Sequence, residues 1–331
     1  MARVWTDGFE LGGLRGYFLN GGGIGTSSAE SYGGSRSLQF TTASRYARLT
    51  LPAALVEGYA RLACRYSSSQ DGFRFYASSA EVFRVVRNTS TGYIEIRDGS
   101  NNVLDTGGTL TNNDIWYVVE VHWVIGETGT IEVKVDGEID SSYSGDTRFG
   151  AAASVDEVRL SSLGYFDDFA INDTTGSVDN SWCGAGKVYY MPAASDTSTQ
   201  WTPSAGSDNY AMVDEAPHDS DTTYVQTATN GHTDVYGLGT PPAAMEGKII
   251  KRAWPEAVCR KTESEEGLGI SLGITIGTTT DNGDQIAPGV EYNSARIIGD
   301  EHVINPDTTE AWNFSELDDI KVRLNAHVAA E

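Results

Sequence analysis

Two adjacent carboxylates, Asp167 and Asp168, stand in the stretch Gly-Tyr-Phe-Asp-Asp-Phe-Ala-Ile-Asn (164–172). Paired carboxyls can share a proton, ligate a hard cation or serve as acid and base. In a strand, successive side chains point to opposite faces, so this pair cannot converge on one substrate atom. Alternation groups Phe166, Asp168 and Ala170 on one face and Asp167, Phe169 and Ile171 on the other. Asp167 is therefore expected on the core-facing side. A carboxylate there needs hydrogen bonds from a loop backbone or a structural cation, which makes Asp167 a calcium candidate.

The segment Gly-Glu-Ile-Asp-Ser-Ser-Tyr (137–143) offers a second pair, Glu138 and Asp140. A retaining glycosidase needs two carboxyls about 5–5.5 Å apart. The glucanase spacing E-x-D-x-x-E would require a further glutamate, and Ser142 and Tyr143 stand there instead. The reading is a hairpin turning on Asp136-Gly137. Thr-Thr-Thr-Asp-Asn-Gly-Asp-Gln (278–285) places Asp281, Asn282 and Asp284 in one turn. Such oxygens can hold Ca²⁺, but Asn-Gly is itself a turn signal. Asp98 in Arg-Asp-Gly-Ser has the same two readings. His122 alternates with apolar residues as a sheet position would, and His218, His232, His302 and His327 are scattered. No serine sits in a G-x-S-x-G elbow. Gly21–Ser28 lacks the Gly-Lys-Ser/Thr ending of a phosphate loop. No catalytic set emerges. Aromatic faces could stack on sugars, with Tyr93, Trp116, Trp123, Trp201 and Tyr210 as candidates. The first three lie at alternating strand positions, whereas Trp201 and Tyr210 lie in a polar loop and are the glycan-binding candidates.

The 331 residues include 46 Asp and Glu against 23 Lys and Arg, a formal net charge of −23. A surface this acidic repels phosphate, so no nucleic-acid role is expected. Cys64, Cys183 and Cys259 are odd in number and lack metal-ligand spacing, which fits folding in a reducing cytoplasm. No apolar run approaches the roughly 18 residues of a membrane helix, and the start reads as a strand rather than a secretory segment. Neither a signal peptide nor membrane insertion is expected.

These residues must be carried by β-sheets. Tyr46–Leu51, Gly58–Tyr66, Gly72–Ser78, Glu81–Asn88, Gly92–Gly99, Trp116–Ile125, Thr130–Ile139 and Val155–Ser162 all alternate apolar with polar. Turn residues recur about every ten positions, the pattern of antiparallel sheets packed face to face. The expected fold is all-β, with a jelly-roll sandwich over 1–180. A small polar hinge follows at Thr174–Gly186, then a second, smaller β-sandwich over 185–331. In the latter, Lys248–Lys261, Leu268–Thr280 and Asp319–Val328 read as strands, and Asn305–Asp319 as a short helix with Ser315 as its cap.

The first domain resembles the concanavalin A-like (laminin-G-like) jelly rolls of phage structural proteins. The resemblance rests on "WTDGFELGG", "IWYVVEVHW", "GTIEVKVDGEIDSSYSGDT" and the closing "GYFDDFAINDTTGS", in that order. "WCGAGKVYYMPAASDTSTQWTPSAGSDNY" and "NPDTTEAWNFSELDDIKVRLNAHV" are similar to a module of proteins encoded among tailed-phage virion genes. The resemblance implies pairing of the first and closing strands in one sheet. It also implies a non-enzymatic structural part of the virion, a decoration, fibre, neck or tail component, present in several copies beside capsid or tail proteins. It carries no catalytic motif, and no cofactor is expected beyond the structural Ca²⁺ for which Asp167, Asp281 and Asp284 are the candidates. Such modules often add a strand after the "IKVRL" strand, so an open sheet edge in the second domain, covered by a neighbouring subunit, is expected. The second reading is an adhesin binding host glycans through the jelly roll; a glycan-cleaving enzyme is the third.

Overall fold

Strand follows strand from Arg3 to Asn172, as the alternation requires. The computed structural model describes residues 3–14, 16–67, 72–262, 267–294 and 301–327, and the chain divides into two units, Met1–Tyr189 and Tyr190–Glu331. In the first unit the strands are β1 (Arg3–Asp7), β2 (Tyr17–Leu19), β3 (Ile24–Ser27), β4 (Ser37–Phe40), β5 (Tyr46–Leu55), β6 (Glu57–Tyr66), β7 (Phe73–Ala77) and β8 (Ala80–Arg87). They continue with β9 (Tyr93–Asp98), β10 (Val103–Leu110), β11 (Trp116–Val124), β12 (Gly129–Val135), β13 (Glu138–Gly145), β14 (Val155–Ser161) and β15 (Gly164–Asn172).

These strands form two antiparallel sheets. Sheet I has the order β13-β12-β11-β6-β15-β4-β3, with β1 also on β15; sheet II runs β10-β9-β8-β7-β14-β5-β2. The first and closing strands pair as expected, Trp5 opposite Ile171 and Thr6 opposite Ala170. Between the sheets lies one core to which every strand's inward parity contributes. Phe73, Phe75 and Phe83 of sheet II meet Leu62, Trp123, Phe166 and Phe169 of sheet I. Phe75 packs on Trp123 at 5.0 Å between ring centroids, and Phe73 on Phe169 at 6.0 Å. Burying each such side chain contributes about 1.5–3 kcal/mol, which makes this interface the main support of the unit. The hairpin at Asp136-Gly137 is as read: φ is 51° and 92°, a turn in which Gly meets the second position without a Cβ penalty.

The residues after Asn172 are not the hinge expected at Thr174–Gly186. Ser181–Val188 lies on the outer face of sheet I and belongs to the first unit. Its small residues reflect close packing rather than freedom: a Cβ at Gly186 would come within 2.4 Å of the Arg61 guanidinium. The boundary falls at Tyr189/Tyr190.

The second unit contains β16 (Ala193–Ser198), β17 (Thr202–Pro203), β18 (Val225–Gln226), β19 (Thr233–Leu238), β20 (Val258–Cys259), β21 (Gly269–Ile276), β22 (Thr279–Asp281), β23 (Gln285–Ile286), β24 (Asn293–Ser294) and β25 (Lys321–His327). Its principal sheet has the order β16-β19-β25-β21-β22, with β23 also on β21; β17–β18 and β20–β24 are two-stranded ribbons. Two expectations change. Lys248–Lys261 is strand only at Val258–Cys259. Ile250 is buried while its neighbour Ile249 is 89% exposed, so this apolar pair is not a sheet interior. The 3₁₀ helix Phe314–Asp319 is capped by Asn313 rather than Ser315, with the Glu316 carboxylate accepting from the Asn313 N–H at 2.8 Å. β25, the "IKVRL" strand, is flanked by β19 and β21, and the edges of this sheet lie at β16 on one side and at β22 and β23 on the other. No helix of the described residues is long and apolar enough to cross a membrane.

Candidate functional site: the arginine row of sheet II

In sheet II the residues facing away from the core fall into rows across the strands. Arg48 of β5 stands opposite Arg159 of β14, and Arg159 opposite Arg74 of β7. Arg74 faces Arg84 of β8, and Arg84 faces Arg97 of β9. At the β2 end, Phe18 is opposite Arg48. Their sequence neighbours Ala47, Leu49, Phe73, Phe75, Phe83, Val85, Ile96, Val158 and Leu160 belong to the core, so parity sends all five guanidiniums outward.

Like charges directly opposite one another destabilise a sheet. Three glutamates offset this. Glu157 bonds Arg159 and lies 3.6 Å from Arg48. Glu81 bonds Arg84, sits 3.4 Å from Arg74 and accepts from the Tyr76 hydroxyl at 2.8 Å. Glu95 takes Arg97, and Asn101 Oδ1 accepts from Arg97 at 3.0 Å. Aromatic faces carry the rest. The Arg159 guanidinium lies 3.6 Å from the Tyr76 ring centre and 4.5 Å from that of Tyr46; Arg48 lies 4.4 Å from Phe18. Burial, then the bond and charge of Glu81, raise the Tyr76 hydroxyl above its ordinary pKa. The strip is not sealed. Phe18 is 50% exposed, and the Arg48 and Arg74 side chains keep 32% and 24% of their surface. Arg84, Arg97 and Arg159 are more covered, at 14–15%, so the strip opens at its Phe18, Arg48 and Arg74 positions, where a polar, ring-shaped ligand can be held by stacking and forked hydrogen bonds.

The corresponding face of sheet I is closed. Arg61 of β6 donates Nε and Nη2 to the Asp168 carbonyl at 3.0 and 2.8 Å and Nη1 to that of Gly184 at 3.0 Å. Glu120 of β11 accepts from the Gly184 N–H at 2.7 Å. Arg61 and Glu120 are buried beneath Ser181–Val188. At its margin His122 lies between Glu132 and Glu57, 3.0 Å from each, stacked on Tyr59 at 4.3 Å with Trp182 edge-on at 5.8 Å.

Asp167 and Asp168 also belong to this face, which corrects the expected placement of Asp167 beside Phe169 and Ile171. The pairing with β6 runs Asp167–Ala63 and then Ala170–Arg61, a β-bulge, and Asp168 has a left-handed φ of 52°. The extra residue resets parity, so Phe166 and Phe169 both enter the core and both aspartates leave it. Asp167 accepts from the Tyr32, Gly33 and Asp168 N–H groups at 2.8, 3.1 and 2.8 Å. Asp168 accepts from Val188 N–H at 2.7 Å, and its Oδ2 is buried without a partner. Burial, then the charge of Asp168, pushes Asp167 up to about 9; burial also raises Asp168, opposed chiefly by Arg61. Burial thus favours a proton held on the pair, against the N–H bonds that favour its ionised form.

The remaining candidates are dispersed. Asp281 accepts from Gly283 N–H at 3.1 Å in an exposed turn that also holds Asp284. Among the described residues no group of three or more His, Cys, Asp or Glu is placed to hold a metal ion. Asp98 closes its own turn onto Ser100 and Asn102. Asp140 accepts from Thr109 N–H at 2.7 Å, tying β13 to β10, while Glu138 is exposed. Trp123 is core and Trp116 half-buried beside Tyr32. Trp201 is half-buried against Ile270 and Leu272, its indole N–H donating to the His232 carbonyl at 3.2 Å. Tyr210 is half-buried, its N–H bonded to Asp196. The arginine row escaped sequence reading. Its signal was an arginine at the outward parity of YARLT, FRFYA, VFRVV, IEIRD and EVRLS.

No family model matches the chain, and no curated protein matches it. Solved structures do resemble it in shape. An endo-β-1,4-glucuronan lyase from the fungus Trichoderma reesei is 14% identical, over 55% of this chain and 100% of its own, at a TM-score of 0.37. The carbohydrate esterase of the Shiga toxin-encoding bacteriophage phi24B is 13% identical, over 51% and 97%, at 0.38. The carbohydrate binding module CBM66 from Bacillus subtilis is 9% identical, over 48% and 96%, at 0.33. These neighbours include proteins that bind carbohydrate and proteins that cleave it. The expectation that this chain is not an enzyme is therefore withdrawn, since the proteins it resembles in shape include a lyase and an esterase. At these identities and scores the neighbours say nothing of this chain's own ligand.

Proposed function

We propose that the first unit binds a polysaccharide across the outer face of sheet II. One observation carries this reading: a row of five arginines, open at its Phe18–Arg48 end, in which the Arg48 guanidinium lies on Phe18 and that of Arg159 on Tyr46 and Tyr76. Ring faces accept the apolar side of a pyranose, and guanidiniums bond its oxygens in a plane. A row of directly opposed like charges costs sheet stability, and a local rule broken in this way marks a place shaped by function. Affinity electrophoresis of the full chain in gels cast with a panel of polysaccharides tests the reading. At least one should retard the protein, and Phe18→Ala should relieve that retardation while leaving thermal stability within about 0.5 kcal/mol, as for a surface position. Retardation by no member of the panel, or retardation untouched by Phe18→Ala, overturns it.

The setting proposed for this face is a tailed-phage particle, with capsid or tail proteins as neighbours and the chain in several copies. The sequence resemblance supports that setting. Mass spectrometry of purified particles tests it, and absence of the chain from them refutes it.

A further inference from the structure

We infer that the ligand of the sheet II face is an acidic polysaccharide carrying a carboxylate on successive sugar rings. The inference rests on the reading of this face as a glycan site and adds its charge. Five of the chain's 23 basic residues stand in one row, against three carboxylates, on a protein whose formal charge is −23. The row is an island of positive charge on an acidic molecule. Its geometry suits a linear polymer. Neighbouring strands are about 4.8 Å apart, so four intervals spread the guanidiniums over roughly 19 Å, one per strand. A small anion would engage one or two of these groups; a chain with one carboxylate per ring can engage the row.

Planar, forked donors match carboxylates in particular. The exposed Phe18 ring at the Arg48 end gives a sugar face a surface that phosphate groups would not use. Duplex DNA fits less well, because its phosphates are densely spaced and the surrounding acidic surface repels them. A neutral glucan would use the rings but leave the guanidinium excess unmatched.

The test is a titration of the full chain with polygalacturonate, dextran and duplex DNA, each at low salt and at physiological salt, followed by calorimetry. Polygalacturonate should bind at least tenfold more tightly than dextran, and tenfold or more of that affinity should be lost between the two salt conditions. Arg84→Gln should weaken binding about tenfold. Glu157→Gln removes one offsetting charge and should tighten it several-fold, an effect that a purely structural Arg–Glu ladder would not produce. A melting curve for each variant separates loss of folding from loss of binding. Equal binding of dextran and polygalacturonate overturns the acidic ligand and leaves the glycan site standing. Tighter binding of DNA overturns it in favour of a nucleic acid. Failure of both polysaccharides, with both variants folded, removes the inference together with the site on which it rests.

Discussion

Replacing Arg61 with methionine removes one of the side chains that, with Glu120 and Asp168, fasten Ser181–Val188 to sheet I. Methionine matches the length of the aliphatic stem but has no donors. Three charge-assisted hydrogen bonds disappear, and the Asp168 and Gly184 carbonyls lose the guanidinium. Bonds from a charged donor are worth about 1.5–3 kcal/mol each. They share one group and two acceptors, so they do not add, and removing one partner of a buried polar set costs about 3–5 kcal/mol. For a unit of this size, each kcal/mol moves Tm by about 2–4 °C, giving an expected fall of roughly 6–20 °C. Hydrogen exchange locates the effect. The Gly184 N–H rests on Glu120 and the Val188 N–H on Asp168, and both should exchange faster in Arg61→Met. Arg61→Lys should recover only part of the loss, because an ammonium cannot present the same fork. A fall in Tm below about 2 °C, or unchanged protection of Gly184 and Val188, refutes this account of how the segment is held.

The Asp167 carboxyl makes stability depend on pH. Its folded pKa, about 9, stands above the roughly 3.9 of an unfolded aspartate, so between these values the folded chain holds a proton that the unfolded chain releases. That contribution is full below pH about 4 and declines as pH rises, by up to about 1.4 kcal/mol per unit. Asp167→Asn should therefore be destabilised most at pH 5, with the gap to the parent narrowing towards pH 8; a gap that widens in denaturant melts refutes the shared-proton picture. Gly58→Ala should cost about 1–3 kcal/mol, since the new Cβ would lie 2.4 Å from the fully buried Trp123 ring; an unchanged melting curve would show that the ring gives way freely. Asp234 accepts from Gln200 and Trp201 N–H, the Asn209 amide and the Tyr236 hydroxyl. Asp234→Asn should lower second-unit stability by about 2–4 kcal/mol and shift tryptophan emission to the red as Trp201 is released, and emission unchanged at that lower stability refutes the link.

Strand identity in the first unit was legible because each strand buries one face, and period two writes that fact into YARLTL, FRFYAS or WYVVEVHWVI. Strand order was not, and the candidate site depends on order. Arg48, Arg74, Arg84, Arg97 and Arg159 each look like an ordinary solvent-facing residue in their own strand. They become a row only because β14, late in the chain, inserts between β5 and β7. No local pattern announces that insertion. The bulge at Asp168 was hidden for a related reason: "FDDFAIN" alternates acceptably as a regular strand, and what displaces it is loop backbone at Tyr32 and Gly33, more than 130 positions away. Ser181–Val188 misled through composition. Small residues mark hinges, but they also mark places where a chain must lie close against a sheet, and the sequence does not separate these cases.

The two sheets use the same residue in opposite ways. Arg61 on sheet I spends its donors on backbone carbonyls and is covered; the five arginines of sheet II share carboxylates and rings, and Arg48 and Arg74 among them stay partly open. The faces are separated by the whole core, so substitutions on them share no partner. Effects of such distant changes add within about 0.3–0.5 kcal/mol. The double variant Arg61→Met/Glu157→Gln should therefore show the sum of the two stability changes and, well below its Tm, the polygalacturonate affinity of Glu157→Gln alone. Stability is read by denaturant melts and affinity by calorimetry on the same samples. If Arg61→Met alters that affinity in folded protein, the sheets are coupled through the core and the closed face takes part in binding. If it does not, Ser181–Val188 stabilises the fold, and recognition belongs to the arginine row.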